Sequence, residues 1–187
     1  RKKKLLGKLI VPNLKKYIKF KLKMKNSYLK LNVNDENMSF VYELIKLLKI
    51  SDKNFLNSLN TFVGLPHRYE IFMKKKNCIF INDSKATSFK ATQSALSSCK
   101  NIYWILGGLP KKKDKIKLLK LKKNIIKCYL IGNYTSFFKN QIKNKLNFSI
   151  TRNLNKTIIQ VFKDMKMQKK TLKTVLFSPA AASFDQF

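Results

Sequence analysis

Residues 78–92 read Cys-Ile-Phe-Ile-Asn-Asp-Ser-Lys-Ala-Thr-Ser-Phe-Lys-Ala-Thr. The first four residues are a short apolar run, the pattern of a buried strand. Asn82, Asp83, Ser84 and Lys85 then turn the chain polar. A helical pattern over residues 86–98 follows, with Ser84 or Thr87 as the expected N-cap. A strand feeding a polar corner, and a corner feeding a helix, is the unit of an open α/β sheet. Ligands of such sheets sit outside the carboxyl ends of the strands. A helix start beside them adds amide donors and a positive dipole end. Taken alone, residues 83–87 are a solvated loop with an ordinary cap. They contain no glycine, so they are not a Gly-rich phosphate loop.

The alternation continues on both sides. Downstream, residues 102–106 form a near-continuous apolar run ended by Gly107-Gly108-Leu109-Pro110. Such a run fits a sheet covered on both faces. Ile116, Leu118 and Leu119 predict a helix over residues 115–124. Residues 128–131 predict a strand ended by Gly132, and residues 136–146 a helix. A further helix over 154–167 places Ile158, Val161, Phe162 and Met165 on one side. Residues 174–177 are the last strand, and residues 178–183 read as the start of a helix. Upstream, residues 67–72 predict a strand joined to residue 78 by a turn at 74–77. The order implies a mostly parallel sheet with right-handed crossovers.

Gly64-Leu65-Pro66 punctuates the chain and divides residues 1–63 from 64–187. In the first part, residues 28–33 alternate like a strand. A helix over 39–48 presents Val41, Leu44, Ile45 and Leu48. A second helix, capped by Ser51-Asp52, runs through Phe55, Leu56 and Leu59. This part reads as the tail of a helical segment packed on something else.

Hydrophobic residues are 44% of the 187, enough for a packed core and too many for a disordered chain. Formal net charge is +32, which invites a nucleic-acid role. The charge is nearly all lysine, however, with arginine only at Arg1, Arg68 and Arg152. Base-edge readout favours the guanidinium fork. The lysines are spread along the chain, so no specific nucleic acid is expected; the same field also suits small anions. Cys78, Cys99 and Cys128 are unpaired by spacing and point to a reducing compartment. With His67 the only histidine, neither a His-based metal cluster nor a catalytic triad can be assembled. No apolar run is long enough to span a membrane. Residues 1–12 lack the apolar stretch and cleavage site of a secretory leader, so a cytoplasmic location is expected.

A parallel sheet would gather three polar corners on one edge: residues 82–87, 107–111 and 178–183. Gly107 and Gly108 let backbone approach a ligand closely. Lys111 to Lys113 offer ammonium groups, and Ser178 and Ser183 bracket small alanines.

Four segments occur in order. They are Gly64-Leu65-Pro66-His67-Arg68-Tyr69-Glu70, Asn82-Asp83-Ser84-Lys85-Ala86-Thr87, Leu106-Gly107-Gly108, and Ser178-Pro179-Ala180-Ala181-Ala182-Ser183-Phe184-Asp185-Gln186-Phe187. Together they resemble the C-terminal domain of the Mur ligases of peptidoglycan synthesis, in particular the D-glutamate-adding ones. The resemblance covers residues 34–187. The preceding part resembles the end of that family's central ATPase domain, where a Gly-x-His-Asn-x-x-Asn segment helps hold the nucleotide. Here Asn34 and Asn37 match, while Leu31 and Val33 replace the glycine and histidine.

The resemblance implies an α/β fold with a mostly parallel, Rossmann-like sheet and helices on both faces, preceded by a short helical remnant of the ATPase domain. It implies an ATP-driven ligation through an acyl phosphate. The substrates would be UDP-N-acetylmuramoyl-L-alanine and D-glutamate. By match of motif, Arg68 meets phosphate, Asp83 the ribose, Asn37 the adenine side, and His67 lies beside the nucleotide. Lys85, the catalytic residue, faces the acyl-phosphate region. Thr87, Lys111 and Ser183 hold the carboxylates of D-glutamate. Magnesium would be bound largely by groups outside these residues. The sequence lacks a uridine-nucleotide domain and a Gly-x-x-x-x-Gly-Lys-Ser/Thr loop, and it stops inside the last motif. The expectation is therefore a fragment that does not ligate alone. The other readings are a basic RNA-binding module and a non-catalytic relic on the same fold.

Overall fold

Strands β1 (Glu70–Lys75), β2 (Cys78–Asn82), β3 (Ile102–Gly107), β4 (Ile125–Ile131), β5 (Phe148–Arg152) and β6 (Lys173–Phe177) form one sheet. Their spatial order is β1-β2-β6-β3-β4-β5. The computed structural model describes residues 9–26, 28–118, 120–167 and 171–183, without the side chain of Val33. Every neighbouring pair is parallel except β1 with β2. The last strand in sequence, β6, is inserted between β2 and β3. The carboxyl ends of these three strands therefore lie side by side.

Helices α4 (Phe89–Ser98), α5 (Thr135–Ile142) and α6 (Leu154–Lys166) belong to the same unit, Leu65–Phe187. Alternation along the strands sends successive side chains to opposite faces. Phe80, Tyr103, Ile105, Tyr129, Ile131 and Val175 pack with Val161 of α6, joined by Ile158 and Met165. The alternate residues Trp104, Leu106 and Leu130 are equally buried. Helices α4 and α5 bury Phe89, Leu96, Phe138 and Ile142. This is the mostly parallel α/β sheet with helices on both faces that the sequence predicts.

The unit Arg1–Gly64 contains α1 (Leu14–Lys21), α2 (Asp35–Leu47) and α3 (Asp52–Asn60). Asn13 and Ser51 cap α1 and α3 through their side chains. Phe20 stacks on Tyr42 at 4.5 Å and on Phe55 at 5.4 Å between centroids.

Several local expectations change. Residues 28–33 form no strand. They make turns and a short 3-10 helix, Asn32–Asn34. Asn26 Oδ1 accepts from Leu29 N, and Asn34 Nδ2 donates to Tyr28 O. These side-chain bonds to the backbone win over an alternation that has no partner strand. Helix α2 starts at Asp35 and buries Met38, Tyr42 and Ile45. Val41, Leu44 and Leu48 are exposed, so the apolar pattern marked two faces and not one. The helix predicted over residues 115–124 does not form in its described part, Leu119 lying outside the description. Only Lys122–Asn124 makes a 3-10 turn. Lysines at 111, 112, 113, 115, 117, 120, 122 and 123 would repel one another across a helical turn. The nearby carboxylate, Asp114, is engaged by Phe89 N at 2.8 Å. Strand β1 begins three residues late because His67 and Tyr69 have φ of 64° and 49°, outside the extended region. Strand β5 was not foreseen; it is short and only half-buried.

Asp164 of α6 fixes that helix to β4. It accepts from Lys127 Nζ (2.7 Å), Tyr129 OH (2.6 Å) and Gln160 Nε2 (2.9 Å). Burial alone would raise its pKa, but the three donors outweigh it and hold the carboxyl below its usual range. A depressed folded-state pKa gives stability that is present above the unfolded value, near 4, and lost as pH falls through the folded one. Asp164→Asn should therefore cost about 1–2 kcal/mol at neutral pH in urea unfolding, with the difference narrowing below about pH 4.

Candidate active site

The rim begins at the end of β2. Asn82 Oδ1 accepts from Ser84 N at 3.1 Å, which turns the chain. Its Nδ2 lies 2.8 Å from Nδ1 of His67, so that ring nitrogen accepts. Asp83 follows and is 9% exposed. Its backbone N–H donates to Phe177 O of β6 (2.8 Å), and its carbonyl accepts from Ala86 N (2.9 Å). Its Oδ1 accepts from Tyr69 N (3.1 Å) and its Oδ2 from the Ser178 hydroxyl (2.7 Å). Burial pushes the Asp83 pKa up, against the pull of Ser178, the Tyr69 amide and the Arg68 charge.

The helix after this corner starts at Phe89 and is capped by Ser88, whose side chain accepts from Ala91 N. Neither Ser84 nor Thr87 is the cap. Residues 83–87 stay a turn because Asp83 and Asn82 take the amides of Ala86 and Ser84. This leaves Lys85 exposed and Thr87 half-buried. Lys85 N donates to His67 O at 3.1 Å, tying the 67–70 turn to the corner.

The second corner leaves β3. Gly107 and Gly108 have φ of 143° and 126°, a region that side chains avoid. A Cβ on Gly107 would fall on the carbonyl of Ile131, and one on Gly108 on that of Ala182. The backbone at 107–109 is thus pressed against the third corner. Gly107 N donates to Pro179 O (3.0 Å), and Leu109 and Ala182 exchange bonds of 2.8 and 3.1 Å.

The third corner leaves β6 at Ser178, which is fully buried. Its N–H donates to Ile105 O (3.2 Å), and its carbonyl accepts from Trp104 Nε1 (2.8 Å). No helix starts over residues 178–183; Ala180 has φ of 58°, and Ala182 pairs with Leu109. Residues 184–187 lie outside the description.

The structure therefore brings His67, Arg68, Asp83, Lys85, Thr87, Lys111 and Ser183 onto the rim of one sheet. Asp83 is at its floor, while Lys85, Lys111 and Ser183 are exposed. Asn37 is exposed on the first turn of α2, in the other unit. Sequence reasoning did not see the roles of Ser178, Trp104 and the Tyr69 amide. The one available signal was Trp104, because a buried indole N–H needs an acceptor. Concave regions elsewhere include one of about 640 Å³ lined by Lys25, Tyr28 and Phe62, and one of about 440 Å³ at the amino end of β4. The rim is the better candidate, because open α/β sheets use their carboxyl edge. Among the described residues no three His, Cys, Asp or Glu side chains cluster to hold a metal. The described residues by themselves do not fit a magnesium site.

No family model matches the chain. Solved structures share its fold. The MurF ligase of Thermotoga maritima in complex with ADP aligns with TM-score 0.53 and 15% identity, over 78% of this chain and 34% of that one. The UDP-N-acetylmuramate-alanine ligase MurC of Thermotoga maritima aligns with TM-score 0.52 and 19% identity, over 79% and 34%. By sequence, a UDP-N-acetylmuramoylalanine–D-glutamate ligase of Wolbachia sp. subsp. Brugia malayi (strain TRS) is 37% identical over 167 residues, 89% of this chain and 33% of the relative. The α/β sheet and its sequence place the chain in the Mur ligase family. Within that family it corresponds to the C-terminal portion of UDP-N-acetylmuramoylalanine–D-glutamate ligase. It spans about a third of the length of the curated relatives it matches.

The tight junction between the second and third corners makes a test. Gly108→Ala should destabilise the chain by about 2 kcal/mol or more in urea unfolding, through both its φ and the clash with Ala182.

Proposed function

We propose that this chain is the part of an ATP-dependent D-glutamate ligase that receives the amino acid and the tail of the nucleotide. The observation that carries this reading is the meeting of three corners on one rim, the first tied to the third by the Ser178 hydroxyl on Asp83 and the second to the third by the backbone bonds of Gly107 and Leu109 with Pro179 and Ala182. Arg68, Lys85 and Lys111 supply cationic groups there, and Thr87 and Ser183 supply hydroxyls. A dicarboxylate and a polyphosphate both need such a set.

In this reading Lys111, Thr87 and Ser183 hold the two carboxylates of D-glutamate, which fixes its amine for attack. Arg68 meets phosphate oxygens. Asp83 uses its remaining lone pairs for the ribose, two of its roughly four acceptor sites being taken internally. Lys85 stabilises the charge that develops where the carboxylate of UDP-N-acetylmuramoyl-L-alanine is activated. ATP would transfer its terminal phosphoryl group to that carboxylate, giving an acyl phosphate and ADP. The amine of D-glutamate then attacks the acyl carbon, and the C–N bond forms as the C–O bond to phosphate breaks and the nitrogen gives a proton to solvent. What these residues contribute is orientation and charge neutralisation. His67, held by Asn82, supports the Arg68 turn from the nucleotide side.

Residues 1–63 are then the end of the central ATP-binding domain, with Asn37 toward the adenine. Helix α2 supports this. One side of it faces the local core, while Phe40, Val41, Leu44, Leu47 and Leu48 are exposed on the other. A helix apolar on both sides is an internal helix of a larger body. Peptidoglycan synthesis in the cytoplasm is the setting this reading assigns. No described helix is long and apolar enough to cross a membrane.

Two measurements test the reading. The 187-residue chain by itself should not turn over ATP, having no Gly-rich phosphate loop; steady phosphate release from the pure chain would refute this. When polypeptide corresponding to the rest of a relative is supplied, Lys111→Ala and Thr87→Ala should each raise KM for D-glutamate about tenfold, the loss of one charge-assisted hydrogen bond. Unchanged KM in both variants would sink the assignment.

A further inference from the structure

Arg68 sits between two residues in the left-handed region, His67 at φ 64° and Tyr69 at φ 49°. Neither is glycine, so the turn that presents Arg68 is held by its surroundings and not by its own preference. Arg68 N donates to Leu65 O (3.2 Å), Asn82 Nδ2 to His67 Nδ1 (2.8 Å), and the Tyr69 hydroxyl pairs with Cys99 Sγ (3.0 Å). Three further bonds hold the backbone of the two strained residues. Tyr69 N donates to Asp83 Oδ1, His67 N to Glu70 Oε2 at 2.9 Å, and His67 O accepts from Lys85 N. Two of these three partners belong to the corner after β2. The Asp83 carboxylate is in turn oriented by a single side-chain donor, the Ser178 hydroxyl, on its other oxygen. The Ser178 backbone is fixed and its hydroxyl has no solvent to turn to. Its N–H is bound to Ile105, its carbonyl receives the Trp104 indole, and none of its surface is exposed.

We propose that Ser178 is a positioning residue for Arg68. Its hydroxyl sets the Asp83 carboxylate, the carboxylate holds the Tyr69 amide, and that amide fixes the strained turn carrying the guanidinium. A buried group just past the last strand thus governs a cationic side chain 110 residues earlier, without touching any ligand. A carboxylate with only one donor on it can swing about its χ2; with a donor on each oxygen it cannot. This rests on the reading above only for the ligand of Arg68, a nucleotide phosphate.

The test compares Ser178→Ala, Ser178→Thr and Arg68→Ala in the full 187-residue chain. Amide hydrogen exchange of Tyr69 should accelerate about tenfold or more in Ser178→Ala, with Leu130 and Cys128 in β4 unchanged, and Ser178→Thr should restore most of the protection. Unchanged exchange at Tyr69 overturns the inference. So does an equal acceleration throughout the sheet, which would be loss of global stability alone. Titration with ADP separates the two layers. Equal weakening of ADP binding by Ser178→Ala and Arg68→Ala supports the whole chain of contacts. Weakening by Arg68→Ala but not by Ser178→Ala overturns the inference. If Arg68→Ala leaves ADP affinity unchanged, the nucleotide assignment of Arg68 fails, and Tyr69 exchange still decides the role of Ser178.

Discussion

The buried hydrogen bond between Asp83 and Ser178 is the constraint on which the rim depends. A carboxylate taken out of water is costly unless each oxygen finds a donor. Here one donor comes from the end of β6 and the other from the turn before β1. Asp83 also binds Phe177 and Ala86 through its backbone. Four contacts on one residue leave the corner a single arrangement. If β2 or β6 shifted along the other, the Asp83 carboxylate would lose the Ser178 hydroxyl in the interior. The arrangement is therefore specified by the penalty for breaking it more than by the strength of any one bond.

The sheet order makes this possible. Because β6 lies between β2 and β3, the serine that follows the last strand can reach the aspartate that follows the second and an indole on the third. Parallel pairing then puts the three exits at one edge. Gly108 lets the second exit lie against the third with no side chain between them, and Gly107 does the same against the end of β4. Close backbone contact at this edge raises the charged side chains on neighbouring loops to the same level. Lys85, Lys111 and Ser183 come from three distant segments, and all are exposed there.

The strands were legible where burial was complete. Residues 102–107 are apolar without a break, and the structure buries all six. The same holds for most of β4 and β6. Half-buried β5 had too weak a pattern to announce itself. Residues 28–33 and 115–124 misled for a different reason. Their apolar spacing was real, but side-chain bonds from Asn26 and Asn34 decided one and lysine repulsion the other. At the site, chemistry-bearing residue types could be read from motifs, but the order of dependence among them could not. Nothing in a Ser-Pro dipeptide says that its hydroxyl is buried or whose oxygen it meets. That information resides in the strand order, which pairs residues nearly a hundred positions apart.

The charge balance explains why so few residues carry so much of the specificity. With 41 basic and 9 acidic residues, the surface offers little Coulomb cohesion and considerable self-repulsion. Six of the eight described carboxylates are correspondingly committed. Asp35 pairs with Lys21, Asp52 with Lys46 and Asp164 with Lys127. Asp114 binds the Phe89 amide at the start of α4, Glu70 the His67 amide, and Asp83 the rim. Each joins segments that the apolar core alone would leave loosely oriented. Most lysines on such a surface are interchangeable as charge, the paired Lys21, Lys46 and Lys127 and the rim's Lys85 and Lys111 excepted, whereas these acids are not, because each answers a particular donor. Attraction of small anions can therefore be spread over the whole molecule. The backbone geometry of the rim is left to one carboxylate, Asp83.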